Sequence, residues 1–264
     1  MRWLQNSLFC SHRIISAAKD SALVDVYYSY TPSSRLILCS SKLCNRATKK
    51  SFVTISIFPI VMIGICAGAL SAHAASISIA VPFTSQAPFG SWASPWQDFC
   101  EEASLVMAAH FRWGVPLAPE IANLEMQIIK QFEEIVFGRY KDTSIEESAF
   151  VLQKLFGFDG VRTRLVAGPD DIRAELAWGR LVIAPVSGRM LGNPYFTPPG
   201  PLYHMLVVRG FDEKTQEFIT NDPGTRRGNG FRYGYATLFA ALHDLNKGNR
   251  EQGEKRIMVV EKGT

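Results

Sequence analysis

From residue 99 onward the apolar positions fall into alternating helical and strand periods. Residues 99–113 place Leu105, Val106 and Ala109 at helical spacing behind Glu101 and Glu102, and Gly114 closes the run. Pro119 suits a first helical turn. Residues 120–137 then align Ile121, Leu124, Ile128, Ile129, Phe132 and Ile135 in one stripe, which reads as core packing. Ser144 and Glu147 make a capping-box pair at the head of a third helix that runs to about residue 155 and stops before Gly157. A fourth covers 169–178, with Gly179 as its stop. Strand patterns occupy 76–83 (ending near Pro82) and 161–166. The continuous apolar run 181–186 reads as a central strand. Residues 203–210 and 217–220 should form an antiparallel hairpin around a turn at 211–214. The segment 188–201, with Gly192, Asn193, Gly200 and four prolines, is a long irregular loop of a kind that often serves a site. Asn221-Asp222-Pro223-Gly224 is a turn signature. A last helix over 233–245 and a last strand over 256–260 complete the pattern, which has no internal repeat. Helices come first and a mostly antiparallel sheet follows, an α+β layout.

The front of the chain differs. Residues 51–70 carry no charge, follow Lys49 and Lys50, and precede Ser71-Ala72-His73-Ala74-Ala75, where small residues stand at 72 and 74. Basic flank, apolar run and small-residue site make an export signal at 49–74, cut after Ala74 or kept as an anchor, since about 20 apolar residues can span a bilayer. Cys66 makes a poor lipidation site because bulky Ile65 precedes it. Residues 1–48 are then an extension that is either not translated, with initiation near residue 43, or disordered, or a long tail before an anchor. The division expected is 1–48, 49–74 and a domain over 75–264.

Composition is that of a globular protein, 47% hydrophobic and 20% charged. The net charge of +4 owes much to residues before 51, so it gives no reason to expect a nucleic-acid partner. Cys10, Cys39, Cys44 and Cys66 all fall in or before the apolar run, which leaves Cys100 as the one cysteine of the exported part. A lone thiol outside the cell is a liability unless it is buried or used.

Cys100 stands where a loop becomes a helix. Backbone N–H groups there lack intrahelical partners, and the dipole favours an anion, so the thiol should ionise more easily than a free one. Glu101 and Glu102 oppose this by charge. His110 lies about three turns along the same helix, too far to reach Cys100 at about 1.5 Å per residue. His243 sits in the last helix without a matching motif. His204 opens a strand, and the neighbouring strand runs out at Asp222; adjacent strands lie about 4.8 Å apart, within reach of a carboxylate–imidazole contact. Taken singly, Cys100 can be a small buried hydrophobe, His204 a structural histidine and Asp222 an Asx turn; together they make a nucleophile, a base and an orienting carboxylate.

The blocks Val81-Pro82-Phe83-Thr84-Ser85-Gln86, Cys100-Glu101-Glu102-Ala103-Ser104, 203–212 (YHMLVVRGFD) and 220–225 (TNDPGT) resemble, in that order, those of the C39-like cysteine peptidases of papain-like fold. The resemblance covers roughly residues 79–260. It implies an α+β papain-like domain with the nucleophile on a helix start packed against a mostly antiparallel sheet. It further implies Cys100 as nucleophile, His204 as general base and acid, Asp222 as its orienting partner and Gln86 as oxyanion donor; Gln97, three residues from Cys100, competes for the last role. Phe99 departs from the small residue usual before the family's cysteine. The expected activity is peptide hydrolysis through a thioester acyl-enzyme, without cofactor or metal, by a monomer that is extracellular or at the cell surface, with a possible membrane tether through 51–70. The expected partner is a peptide or protein substrate. Two alternatives stay open: acyl or amide transfer by the same residues, and a non-catalytic wall-binding or interaction module using the aromatic loop of Phe83, Phe89, Trp92 and Trp96. Arg226 and Arg227 could contact an anionic group, or be solvated, or be paired with acidic residues of neighbouring loops.

Overall fold

The computed structural model describes residues 76–246 and 253–263. The export signal, the tether and everything before residue 76 lie outside the described residues. Among the described residues no helix is long and apolar enough to cross a membrane.

A seven-stranded sheet with every pair antiparallel is the frame. Its main path runs β2 (Val161–Leu165), β7 (Arg256–Val260), β3 (Leu181–Val186), β4 (His204–Asp212), β5 (Glu217–Asn221) and β6 (Asn229–Gly234). The three-residue β1 (Ser76–Ser78) pairs with the far end of β4, beyond the stretch that β3 occupies.

Both faces of this sheet are covered. Leu181, Ile183, Met205, Val207, Met258 and Val260 point to one core with α1 (Cys100–Trp113), α2 (Pro119–Phe137) and α3 (Ile145–Lys154). The intervening Val182, Ala184, Leu206, Val208, Ile257 and Val259 point to a second core with α4 (Pro169–Ala177) and α6 (Tyr235–Ala241). Period-two alternation with both faces apolar is why 181–186 reads as an unbroken hydrophobic run. The α+β expectation holds.

The α1 helix is the innermost. Every residue from Cys100 to Phe111 is buried, and Gly114 stops it in the left-handed conformation, with φ at 69°. The Ser104 hydroxyl lies 2.8 Å from the Cys100 carbonyl and 3.2 Å from the Met205 carbonyl, tying the first turn of α1 to the strand that His204 opens. The expected capping box of α3 is present in both directions, Glu147 N–H to Ser144 Oγ and Ser144 N–H to Glu147 Oε2.

Several expectations need correction. The first strand ends at Ser78, because the chain leaves β4 to run toward the site. The α1 helix starts at Cys100 with Phe99 as its cap, after a single 3-10 turn over Trp96–Asp98. On α2 the buried line is Ala122, Met126, Ile129 and Glu133, whereas Ile121, Leu124 and Ile135 of the predicted core stripe are exposed. Two apolar faces compete on that helix, and small Ala122 lets the narrower one approach α1. The loop 188–201 contains a short helix, α5 (Gly188–Leu191). β4 extends to Asp212, into the predicted turn. Residues assigned to the head of the last helix instead end β6, where Phe231 and Tyr233 stack across the sheet edge with ring centroids 4.8 Å apart.

Candidate active site

One open cavity of about 1060 Å³ is lined by Gln86, Gln97, Cys100, Glu101 and His204, together with residues of the 188–201 and 222–228 loops. The start of α1 brings Cys100 to it and the start of β4 brings His204. Cys100 is free and buried.

His204 is held from two sides. Its Nε2 lies 2.8 Å from Asp222 Oδ1, and both side chains are almost wholly buried. A carboxylate only accepts, so Nε2 carries the hydrogen, and Nδ1 is the lone pair when the ring is neutral. The Phe196 ring stands edge-on to the imidazole with centroids 5.2 Å apart. Below it passes Gly224, where a β-carbon would come within 2.8 Å of Phe196 and 2.9 Å of His204. Only glycine lets the turn lie this close.

Asp222 is the end of a small network. Oδ1 also accepts the Gly224 N–H at 2.9 Å, and Oδ2 accepts the Tyr233 hydroxyl at 2.6 Å and the Asn193 amide at 3.3 Å. Asn193 donates to the Tyr233 oxygen at 2.7 Å as well. Burial alone would push this carboxyl up. The charge of protonated His204 and the hydrogen bonds from His204, Tyr233 and Gly224 outweigh it and hold Asp222 below its ordinary value. Sequence reading left Asn193 and Tyr233 out of the site. Asn193 stood in a loop marked as functional, but Tyr233 was assigned to a helix, and only the β5–β6 pairing sets its hydroxyl on Asp222.

Glu101 is the other unforeseen participant. Its Oε2 accepts the Cys100 thiol at 2.9 Å, while Oε1 is buried without a partner. Burial pushes the Glu101 carboxyl up to about 7, against the pull of the Cys100 hydrogen bond. The thiol is pushed well above its ordinary value, by burial first and then by the Glu101 charge and hydrogen bond; a backbone hydrogen bond with Met205 works the other way. A helix start was expected to ease ionisation. Here desolvation and two adjacent carboxyls win, because dipole effects at a helix end are worth only about 0.3–1 kcal/mol. Behind Glu101, Glu102 on α1 and Glu133 on α2 are buried, with no hydrogen-bond partner on any of their four oxygens among the described residues. Burial raises both, Glu133 to about 9.

Gln86 is buried against the same loop. Its amide donates to the carbonyls of Trp96 and Gln97 at 3.0 and 2.8 Å, and its backbone N–H to Pro223 O at 3.0 Å. It thus bridges the 86–97 loop to the turn after Asp222. Gln97 is exposed at the rim, and its amide reaches only Asp98 at 3.5 Å. His110 is away from the cavity, with Nδ1 on Pro116 O at 2.8 Å and Nε2 on Glu125 at 2.9 Å, fastening α1 to α2. Among the described residues no group of His, Cys, Asp and Glu could hold a metal ion.

The arrangement can hold a thiol beside an imidazole whose far nitrogen is oriented by an ionised carboxylate. The model of the Peptidase_C39 like family matches residues 78–245. A solved structure from Bacillus anthracis, assigned provisionally as a C39-like peptidase, superposes with a TM-score of 0.41 at 13% sequence identity, covering 72% of this chain and 100% of that one. No curated protein matches the chain.

Proposed function

We propose that this chain, which belongs to the Peptidase_C39 like family, hydrolyses peptide bonds with Cys100 as nucleophile. The observation that carries the reading is the His204–Asp222 bond of 2.8 Å beside the cavity that Cys100 also lines. With Nε2 committed to Asp222, Nδ1 of His204 takes the thiol proton. The thiolate adds to the scissile carbonyl carbon, and the oxyanion is held by the Cys100 N–H and the Gln86 amide, which must loosen one of its two loop carbonyls to donate. Gln97 at the rim is the alternative donor. The C–N bond breaks as His204 returns the proton to the leaving amine, and a thioester remains. Water, deprotonated by His204, then releases the acid and restores the thiol.

The export assignment rests on the sequence of 49–74, and on it the domain works outside the cytoplasm, released or tethered. The experiment is cleavage of a mixed peptide library by the parent and by Cys100→Ala, with circular dichroism to check folding. Cleavage by the parent and none by a folded Cys100→Ala is expected. Full turnover by the variant, or a parent inert at every pH tested, overturns the reading.

A further inference from the structure

We infer that the site selects acidic peptide segments, with Arg189, Arg226 and Arg227 as its anion-binding wall. This rests on the peptidase reading of the same cavity.

The charge pairing of the arginines makes the case. Among the described residues Arg112, Arg139, Arg162, Arg164, Arg173, Arg180, Arg232 and Arg256 all form ion pairs with carboxylates. Arg209 has none, but it is spent inside the fold on Asn221, Ser78 and Ile79. The remaining three have no carboxylate partner among the described residues, and all three line the cavity that holds Cys100 and His204. Arginines without carboxylates are therefore gathered at one place.

Each is nonetheless held. Arg189 Nε donates to Gly200 O at 3.2 Å, Arg226 Nη2 donates to Gly90 O at 3.2 Å, and the Arg227 guanidinium lies 4.8 Å from the centroid of the Tyr195 ring. Neutral carbonyls and an aromatic face restrict the guanidinium without cancelling its charge. A guanidinium has five N–H donors, so most remain for a ligand.

Asp98 and Glu101, which line the same cavity, are engaged elsewhere. Asp98 is paired with Lys141 at 2.6 Å, and Glu101 is buried against the Cys100 thiol. Asp142 has interactions of its own. A concave wall of uncompensated positive charge focuses field on whatever enters. The concave geometry favours an extended peptide over a membrane surface, because the cations line the same hollow as Cys100 and His204. Arg226 and Arg227 stand on the loop that leaves Asp222, next to the turn that packs on His204.

The test uses full-length Cys100→Ala and fluorescein-labelled, end-capped peptides of matched sequence carrying Glu, Gln or Lys in the positions flanking one peptide bond. Anisotropy at low and at high salt gives the affinities. Exposed ion pairs contribute about 0.2–1 kcal/mol each; three together give the Glu peptide an advantage on the order of tenfold over the Gln peptide. That advantage should shrink in high salt, fall by roughly half on a logarithmic scale in R226Q/R227Q, and vanish in R189Q/R226Q/R227Q. Equal binding of Glu and Gln peptides overturns the inference, as does a preference that survives the triple change, or no binding of any peptide. Capture of anionic vesicles with indifference to peptide charge also overturns it, in favour of a surface ligand. Cleavage by the parent separates the two readings. A protein that binds by charge yet cleaves nothing sinks the peptidase reading alone. One that cleaves Glu, Gln and Lys peptides equally sinks the acidic preference alone.

Discussion

Asp222 and Glu101 are two buried carboxyl groups, one on the His204 imidazole and one on the Cys100 thiol, and folding shifts them in opposite directions. Asp222 accepts from His204, Gly224, Tyr233 and Asn193 and is held ionised. Glu101 accepts from the Cys100 thiol alone, leaves one oxygen without a donor, and is pushed up to about 7. Burial is nearly the same for both. The number of donors decides the direction in which each is shifted. One carboxyl orients the His204 ring; the other holds the Cys100 thiol.

The largest effect should follow from removing the ionised member. Asp222→Ala leaves Nε2 of His204 without its acceptor, so the ring can turn or change tautomer. Peptide cleavage should fall by about 10³-fold or more, by analogy with the loss of an orienting carboxylate in serine enzymes. Single-turnover assays on the peptide library measure this. A loss under tenfold would show that Asp222 is structural.

Next comes Glu133→Gln, which acts on the neutral side of the comparison. The folded value of Glu133 lies near 9, far above the ordinary 4.5, and that of Glu102 is raised too. Groups raised on folding add stability that is complete below the ordinary value and is lost as pH climbs through the folded one. The parent should therefore lose stability between about pH 5 and pH 9. Glu133→Gln replaces a buried titrating carboxyl by a neutral amide, so denaturant melts at pH 9 should show it stabler than the parent by at least about 1 kcal/mol. If the parent's stability does not decline over that range, burial does not hold the two carboxyls above their ordinary value.

Glu101→Gln should be smaller and should appear in the thiol. With the charge gone, burial remains but the coulombic push on Cys100 is removed. Alkylation by iodoacetamide near pH 7 should speed up severalfold, because the thiolate is the reactive form. An unchanged pH profile would mean that Glu101 does not hold the thiol.

The comparison also marks what the sequence could and could not tell. The central strand was legible, since 181–186 reads as an unbroken apolar run. So was the path that brings Cys100 and His204 to one cavity and sets Asp222 behind His204, because helix start, strand start and strand exit are local signals. The donors on Asp222 were not. Tyr233 acts from the sheet's last strand, and glycines at 230 and 234 blurred its period. The state of Cys100 was misjudged for a related reason: a helix start is visible in sequence, whereas the depth at which α1 is buried depends on three other elements. On α2, sequence reading found one apolar stripe and missed the buried line of Ala122, Met126, Ile129 and Glu133, because a carboxyl does not read as a core position.

The smallest predicted effects separate the donors of Asp222 from one another. Asp222 is lowered from 3.8 on folding, so its contribution to stability is present above that value and is lost as pH falls through the folded one. Removing a donor raises the folded value and narrows the gap between stability at pH 7 and at pH 3. Tyr233→Phe deletes the 2.6 Å bond and Asn193→Ala the 3.3 Å bond. Hydrogen bonds to a charged group are worth about 1.5–3 kcal/mol, so Tyr233→Phe should lose about that much of the gap, and Asn193→Ala clearly less. Melts of both variants at the two pH values check the order. If Asn193→Ala costs more than Tyr233→Phe, the amide acts mainly by seating the tyrosine hydroxyl, to which it donates at 2.7 Å, and the charge on Asp222 is then set by the network rather than by the count of its bonds.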